Sequence, residues 1–568
     1  MRNVLFGLVT FTLASIPAFG QQAPARPKLA VLVVFDQMRG DYLERWRELF
    51  VPDGFRRLQT EGAWFSNCHY PYAMTATGPG HASILSGCSG ETHGIVANNW
   101  YDRKEAGPVY CASFPRYERV PPLPQVTEPE TKAADKKSDE EKTPKGFGAP
   151  VRMLAPTLGD VVKEATHGQG KVFGLSLKDR SAILPAGKHP NGCYWFDRGR
   201  FCTSTYYGER LPRWVAQFND EHSFDRWYGK TWDRLRADVD YSQYSGPDQM
   251  PGEGKGANQG ITFPHPMGTA KKLGSEYYSA LANSPFGNEL LLELAFHAIE
   301  AEKLGQRDAI DLLTVSFSSN DLIGHCWGPD SQEVMDVTLR SDLLMRDLLK
   351  FLDAKVGKGR YVLAITADHG VCPVPEVAKI HGLPGDRIAP LGVLSQAEQH
   401  LREAFGKPTE QKTRWIEYSN EAGIYLNRRL IAARGLQLDA VAKELVKWLD
   451  SQPQIQAAYS QQDLTMGTPR DAIERRVRKS FMADRSGDVI AIPKLYHLLT
   501  SQKTGTTHGT PHPYDTHVPL IAFGRGIKGG KRVDAVTPQA AAAILARALG
   551  VAPPAKAEAP VPSGLFED

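Results

Sequence analysis

Short runs of apolar residues alternate along the chain with longer amphipathic stretches. The apolar runs are Leu29 to Phe35, Val172 to Leu177, Leu312 to Phe317, Tyr361 to Thr366 and Pro519 to Phe523. Runs of this length with helical patterns between them are typical of strands buried in a parallel sheet. The pattern therefore predicts an α/β/α sandwich with a mostly parallel central sheet and inserted cap regions.

Polar side chains come directly after the predicted strands. Asp36 follows the first run, Lys178 the second, Asp321 comes shortly after the third, and Asp368 shortly after the fourth. Open α/β sheets bind ligands at the carboxyl ends of their strands. The sequence therefore predicts a functional site at this edge.

The remaining segments differ in composition from the predicted core. We expect one catalytic domain over residues 28–550 that contains three insertions. Residues 121–150 are charged and rich in proline, which predicts a flexible loop. Residues 185–275 are rich in Gly, Pro, Trp and Tyr and are predicted to form a cap beside the site, and residues 373–500 to form a second insertion. The Ala/Pro-rich tail, residues 551–568, is predicted to be disordered.

The first twenty residues have the pattern of an export signal. Arg2 precedes an apolar stretch from Val4 to Ile16, and Ala18 and Gly20 are small residues at a cleavage position. The stretch is too short to span a bilayer. We expect a soluble periplasmic or secreted chain without stable membrane insertion; a retained N-terminal anchor is the alternative.

Charge and cysteine content narrow the possible partners. The formal net charge is +3, from 67 Lys and Arg against 64 Asp and Glu, with no basic stripe. Nucleic-acid binding therefore has no electrostatic support, and a small-molecule partner is expected. The seven cysteines lack CxxC spacing, which argues against a thiolate zinc site, and Cys193 and Cys202 are the best candidates for a disulfide. The pattern gives no indication of oligomeric state.

The segment from Met74 to Gly87 contains a candidate nucleophile. Thr77 precedes Gly-Pro-Gly at the point where a loop enters a predicted helix. Free backbone N–H groups and the helix dipole favour an anion there. The alternative is that Thr77 only caps the helix.

Carboxylates and imidazoles stand at several of the predicted strand ends. Asp321 and His325 are four residues apart, so on a helix they share one face and can hold one metal. Singly, such residues are often turn or hydrogen-bonding residues, but their common location predicts a metal site. The further candidates are Asp36, Asp368, His369 and His508.

Together these motifs resemble the alkaline phosphatase superfamily, and more narrowly the type I phosphodiesterase/nucleotide pyrophosphatase group and the related threonine-type bacterial alkaline phosphatases. The motifs are Phe35-Asp36, Thr77-Gly-Pro-Gly-His81, His93-Gly94, Asn98-Asn99-Trp100-Tyr101, Asp321-x3-His325, Thr366-Ala-Asp-His-Gly370 and Thr507-His508-Gly509. The resemblance implies a phosphothreonine at Thr77, a substrate-binding Asn98 and two Zn²⁺ per chain. The implied ligands of the first zinc are Asp321, His325 and His508, and those of the second are Asp36, Asp368, His369 and Thr77. His512 and His517 remain alternatives to His508.

A pair of cationic residues bears on whether the substrate is a phosphate monoester or a diester. A monoester has three non-bridging oxygens and two charges, so it gains more from extra cationic donors. Lys178 and Arg180 are two residues apart, and in an extended segment they point to the same side. The threonine-type monoesterases have such a Lys-x-Arg pair, which favours hydrolysis of phosphate monoesters. The alternatives are a phosphodiesterase or nucleotide pyrophosphatase on the same scaffold and, in another class, a non-catalytic zinc-containing binding protein.

Overall fold

The structure is a computed structural model that describes residues 26–123, 146–221, 223–269, 273–410, 412–421 and 423–567. The predicted signal peptide and residues 124–145 of the predicted loop lie outside these ranges. The strands in chain order are β1 Leu29–Phe35, β2 Ala63–Phe65, β3 Asn99–Asp102, β4 Gly107–Tyr110, β5 Ser113–Phe114, β6 Arg119–Val120, β7 Phe147–Gly148, β8 Val172–Ser176, β9 Gly192–Asp197, β10 Arg200–Ser204, β11 Thr231–Trp232, β12 His265–Pro266, β13 Asp311–Phe317, β14 Tyr361–Thr366, β15 Asp386–Ile388, β16 Ile416–Asn420, β17 Gly423–Leu426, β18 Ile455–Ser460, β19 Val489–Pro493, β20 His497–Leu499, β21 Leu520–Gly524 and β22 Gly530–Arg532.

The helices connect and cover these strands. In chain order they are α1 Tyr42–Arg45, α2 Phe55–Glu61, α3 Thr77–Ser86, α4 Gly90–His93, α5 Leu158–Ala165, α6 Asp179–Ala186, α7 Arg213–Asp220, α8 Ser242–Ser245, α9 Ser275–Ala282, α10 Pro285–Glu302, α11 Ser319–Trp327, α12 Gln332–Leu352, α13 Pro375–Ile380, α14 Pro390–Phe405, α15 Arg428–Ala433, α16 Leu438–Asp450, α17 Gln461–Thr465, α18 Ala472–Ser480, α19 Pro513–Thr516 and α20 Ala540–Leu549. No helix within the described ranges combines the length and apolar character needed to cross a bilayer.

A ten-stranded sheet forms the centre of the molecule, in the order β22-β2-β21-β14-β1-β13-β8-β9-β10-β6. Its middle strands, β14, β1, β13, β8 and β9, are parallel, and every residue of β1, β13 and β14 is buried. This confirms the predicted α/β class. The run at Pro519 was expected to be parallel, but β21 pairs antiparallel with both β14 and β2.

The predicted insertions differ from expectation in part. Residues 185–275 were predicted to be a cap, yet β9 and β10 lie within this range and extend the central sheet. Within residues 373–500, strands β16, β17, β19 and β18 form a separate four-stranded sheet. Helices α14 and α16 pack on it around Leu401, Leu426 and Leu445, which form a second hydrophobic core. We call residues 390–493 the insertion sheet region.

Two further expectations from the sequence are wrong. The tail is ordered as far as residue 567, because Leu565 is buried, its carbonyl accepts from Lys528 N, and Glu558 N donates to Gly87 O. Cys193 and Cys202 are not bonded, and none of the seven cysteines forms a disulfide. In the register of β9 and β10, Cys202 lies opposite Trp195, two residues beyond Cys193, so the two thiols are not directly paired.

Candidate metal centre

The carboxyl ends of the central parallel strands bring the predicted ligands together in two clusters. Asp36 follows β1 and Asp368 and His369 follow β14, and these three residues form the inner cluster. Asp321 and His325 on α11 and His508 from a distant loop form the outer cluster. Within each cluster the ligand atoms lie within 4.8 Å of one another. The rings of His369 and His508 stack with their centroids 3.5 Å apart, so the clusters adjoin.

Hydrogen bonds fix which ring nitrogen of each histidine faces its cluster. The Nδ1 atoms of His325, His508 and His369 lie 2.7, 2.7 and 2.9 Å from the backbone carbonyl oxygens of Thr506, Thr75 and Gly370. Because only an N–H can donate to a carbonyl, Nδ1 carries the proton and the Nε2 lone pair faces the carboxylates. This is the usual arrangement of metal-bound histidine.

The electrostatics of the clusters fit bound cations. His325 Nε2 lies 3.2 Å from Asp321 Oδ1, and His369 Nε2 lies 3.5 Å from Asp36 Oδ1. Asp36 Oδ1 is buried without a hydrogen-bond donor. Burial and the neighbouring Asp368 carboxylate raise the pKa of Asp36 well above its usual value. A cation between these lone pairs removes the repulsion, so both residue sets fit a metal ion.

Thr77 is the first residue of α3 and is buried. The N-cap of this helix is Ala76, so Thr77 is not the capping residue. Its Oγ1 lies 3.5 Å from His369 Nε2, beside the inner cluster. A Cβ added to Gly80 would lie 2.3 Å from the backbone oxygen of Asp368, so the second glycine of Gly-Pro-Gly lets the helix approach this strand end.

Lys178 and Arg180 also reach this site, but by a different geometry from the one predicted. Helix α6 begins at Asp179, so the pair does not lie on an extended segment. Lys178 Nζ lies 2.7 Å from Asp36 Oδ2 and 2.5 Å from Asp321 Oδ2, between the two clusters. Arg180 approaches Thr77 Oγ1 to 3.5 Å. Arg180 thus stands beside the threonine hydroxyl, and Lys178 stands between the two ligand clusters.

Asn98 lies next to the first turn of α3. Its Oδ1 accepts a hydrogen bond of 2.7 Å from the backbone N–H of Gly78, the residue after Thr77. The amide of Asn98 is therefore adjacent to the proposed nucleophile. With it, every site residue singled out in the sequence lies at this edge of the sheet.

The alternative histidines lie elsewhere. His512 Nε2 bonds to Pro493 O and His517 Nε2 to Ser66 O, each with a length of 2.9 Å. His81 is buried on α3, where its Nδ1 lies 2.9 Å from Thr77 O and 3.1 Å from Asp368 Oδ2, and its Nε2 lies 2.7 Å from Ser316 Oγ, so it contacts an inner-cluster residue without belonging to the cluster. Among these histidines, His508 is the one that stands in a ligand cluster.

Two residues at the site were missed from the sequence. Gln37 has a positive φ of 69°, and it bridges the clusters because its Nε2 donates to Asp321 Oδ1 and its backbone N–H to Asp368 Oδ1. A Cβ added to Gly324 would lie 1.9 Å from Gln37 Oε1, so this glycine makes room for the bridge. Glu421, from the insertion sheet region, accepts from the backbone N–H of Asn98. The only sequence feature that could have indicated a role for Gln37 is its position next to Asp36. No sequence feature indicated a role for Glu421.

Comparisons with known proteins identify relatives that align over most of this chain. Alkaline phosphatase PafA of Elizabethkingia meningoseptica is 34% identical over 515 residues, covering 90% of this chain and 89% of that protein. Alkaline phosphatase PhoV of Synechococcus elongatus is 34% identical over 521 residues, covering 91% and 88%. A crystal structure of wild-type alkaline phosphatase PafA matches with a TM-score of 0.83 at 31% identity, covering 96% of this chain and 100% of that chain.

A family model described as type I phosphodiesterase / nucleotide pyrophosphatase matches residues 30–515. That range contains the nucleophile candidate and both ligand clusters. The chain therefore belongs to the type I phosphodiesterase/nucleotide pyrophosphatase family.

Proposed function

We propose that this protein is an exported, metal-dependent alkaline phosphatase that hydrolyses phosphate monoesters through a phosphothreonine at Thr77. The observation that carries the proposal is the convergence of the Thr77 hydroxyl, two ligand clusters and two cationic side chains at one sheet edge. Relatives named alkaline phosphatase that align over most of the chain support it. The export signal predicted in residues 1–20 supports a periplasmic or secreted location, and N-terminal sequencing that finds a start near Gln21 would agree with it.

Two zinc ions are proposed as the cofactors, one held by each cluster. All six cluster side chains supply nitrogen or oxygen donors, a set that suits zinc. When bound, the ions favour loss of the Thr77 proton and stabilise negative charge on the leaving oxygen.

The chain's own residues bind and orient the phosphoryl group. Lys178 and Arg180 attract its charged oxygens, and the positive end of the α3 helix dipole at Thr77 favours an anion. The Thr77 oxygen attacks phosphorus while the bond to the ester oxygen breaks, and that oxygen leaves as an alcohol after taking a proton. Water then attacks the phosphothreonine, the bond from phosphorus to Thr77 breaks, and inorganic phosphate and the free hydroxyl are formed.

Substitution of Lys178 tests the proposed preference for monoesters. Phenyl phosphate carries one more charge than bis-phenyl phosphate, so Lys178→Ala should lower kcat/KM for the monoester by about 10- to 100-fold, the loss of a charge-assisted hydrogen bond. The rate for the diester should fall far less. The half-buried Lys171, which pairs with Glu302, provides a control lysine away from the site.

Metal content must be measured on the same samples, because Lys178 also contacts Asp36 and Asp321. Equal losses of kcat/KM on both substrates would show that Lys178 does not determine the preference for monoesters. An unsubstituted protein that prefers bis-phenyl phosphate would instead establish the phosphodiesterase alternative.

A further inference from the structure

The insertion sheet region contacts the site through one hairpin. Strands β16 and β17 meet in a turn that contains Glu421. Asn420, at the end of β16, donates from Nδ2 to Asn99 O at 2.8 Å. Glu421 Oε2 accepts from Asn98 N at 3.3 Å. The tip of this hairpin therefore holds the backbone that carries the Asn98 side chain.

Ring packing and an ion pair also hold the segment around β3 against the insertion sheet region. The ring of Tyr101 on β3 packs against Tyr418 and Tyr425, with centroids 5.3 and 5.6 Å apart. Arg103 reaches the fully buried Asp488 at 2.6 Å. The position of the hairpin is thus fixed by packing and by a buried ion pair, and it does not depend on the turn alone.

Asn98 is thus held from two sides, because its side-chain Oδ1 accepts from Gly78 N and its backbone N–H donates to Glu421 Oε2. The oxygen is the only acceptor of the amide group, so the Gly78 N–H selects the orientation of the Asn98 side chain.

We infer that Glu421 is a positioning residue of the phosphate site, which holds the backbone of Asn98 where the side-chain amide can bind a phosphoryl oxygen. The inference rests on the proposed function. It makes the insertion sheet region a part of the active site, because a residue 323 positions away from Asn98 in the chain orients a substrate-binding group. Asn98 touches the substrate in this scheme, and Glu421 acts through it.

The test compares Glu421→Ala with a matched variant on the same hairpin. Glu417 bonds to the Tyr101 hydroxyl at 3.2 Å in an exposed position, so Glu417→Ala perturbs the hairpin without touching Asn98. We expect Glu421→Ala to lower kcat/KM for phenyl phosphate about 10-fold, as misplacement of a binding group does. Glu417→Ala should have no such effect. Glu421→Gln keeps an acceptor oxygen and should restore most of the activity.

A double-substitution cycle shows whether Glu421 acts through Asn98. In an Asn98→Ala background, Glu421→Ala should cause no further loss, because the group that it positions is absent. A full additional loss, or equal effects of Glu421→Ala and Glu417→Ala, would overturn the inference.

Binding of inorganic phosphate to the zinc-loaded protein, measured by calorimetry, separates this inference from the proposed function. If the unsubstituted protein binds phosphate but does not hydrolyse phenyl phosphate, the proposed function fails, and a roughly 10-fold weaker affinity in Glu421→Ala still supports the positioning role. An unchanged affinity overturns it. If the unsubstituted protein neither binds phosphate nor hydrolyses the monoester, both proposals fail.

Discussion

The two ligand clusters differ in burial and in origin. All three residues of the inner cluster are fully buried and follow two adjacent strands, β1 and β14. In the outer cluster Asp321 is buried, but His325 and His508 are half-buried and come from a helix and a distant loop. The inner cluster is thus part of the core of the sheet, whereas the outer cluster depends on how separate segments meet.

Because of this difference, we expect the two clusters to have different roles in the proposed mechanism. Thr77, the proposed nucleophile, lies beside the inner cluster, where we expect the buried surroundings to keep it in place. The outer cluster lies closer to solvent, so in the proposed mechanism we expect the alcohol to leave and water to enter on that side. We therefore expect the inner cluster to bind its ion more tightly than the outer cluster.

The largest effect is expected at the nucleophile. Thr77→Ala should lower kcat by about 10⁴-fold or more, the scale found when a nucleophile is removed, because the covalent step is lost. Metal content should stay unchanged, since the six side-chain ligands remain. Thr77→Ser, which keeps the hydroxyl, is the matched control and should retain turnover. Unchanged activity in Thr77→Ala would remove this residue from the mechanism, and an unsubstituted protein that holds zinc without turnover would be a binding protein.

The inner cluster was easier to predict from the sequence than the outer one, for a physical reason. Strands β1 and β14 begin and end where their apolar runs do, because every residue in them is buried. A charged residue directly after such a run has to lie at the sheet edge. The direction of β21 was not predictable, because its continuous apolar run is the pattern typical of a buried parallel strand, although β21 pairs antiparallel.

Contacts between distant segments leave no local pattern. Gln37 lies 284 positions from Asp321 in the chain, and the hydrogen bond between them forms only because α11 packs near the end of β1. The separation of Glu421 from Asn98 is larger still, at 323 positions. The choice of His508 over His512 and His517 rested on the resemblance, because all three stand in one short segment.

Substitution of Gln37 should affect the two clusters unequally. Its side chain donates to the outer ligand Asp321, whereas its bond to the inner ligand Asp368 comes from the backbone N–H, which alanine retains. Gln37→Ala should therefore weaken outer metal binding by about 10- to 100-fold, as loss of such a supporting hydrogen bond does, and leave the inner ion in place. Metal per chain during chelator titration measures this. Gln59→Ala, at a buried glutamine that bonds to Leu43 O, is the control. Equal weakening of both ions would contradict the division between the clusters.

The smallest effect is expected at His512, and it tests which histidine belongs to the outer cluster. His512 Nε2 donates to Pro493 O, away from both clusters, so His512→Ala removes one hydrogen bond and no ligand. The free energy of unfolding should fall by about 0.5 to 1.5 kcal/mol, as measured by urea denaturation, with metal content and kcat/KM unchanged. His508→Ala should instead lose the outer ion, because His508 Nε2 faces Asp321. If His512→Ala releases metal and His508→Ala does not, the outer cluster has been assigned to the wrong histidine.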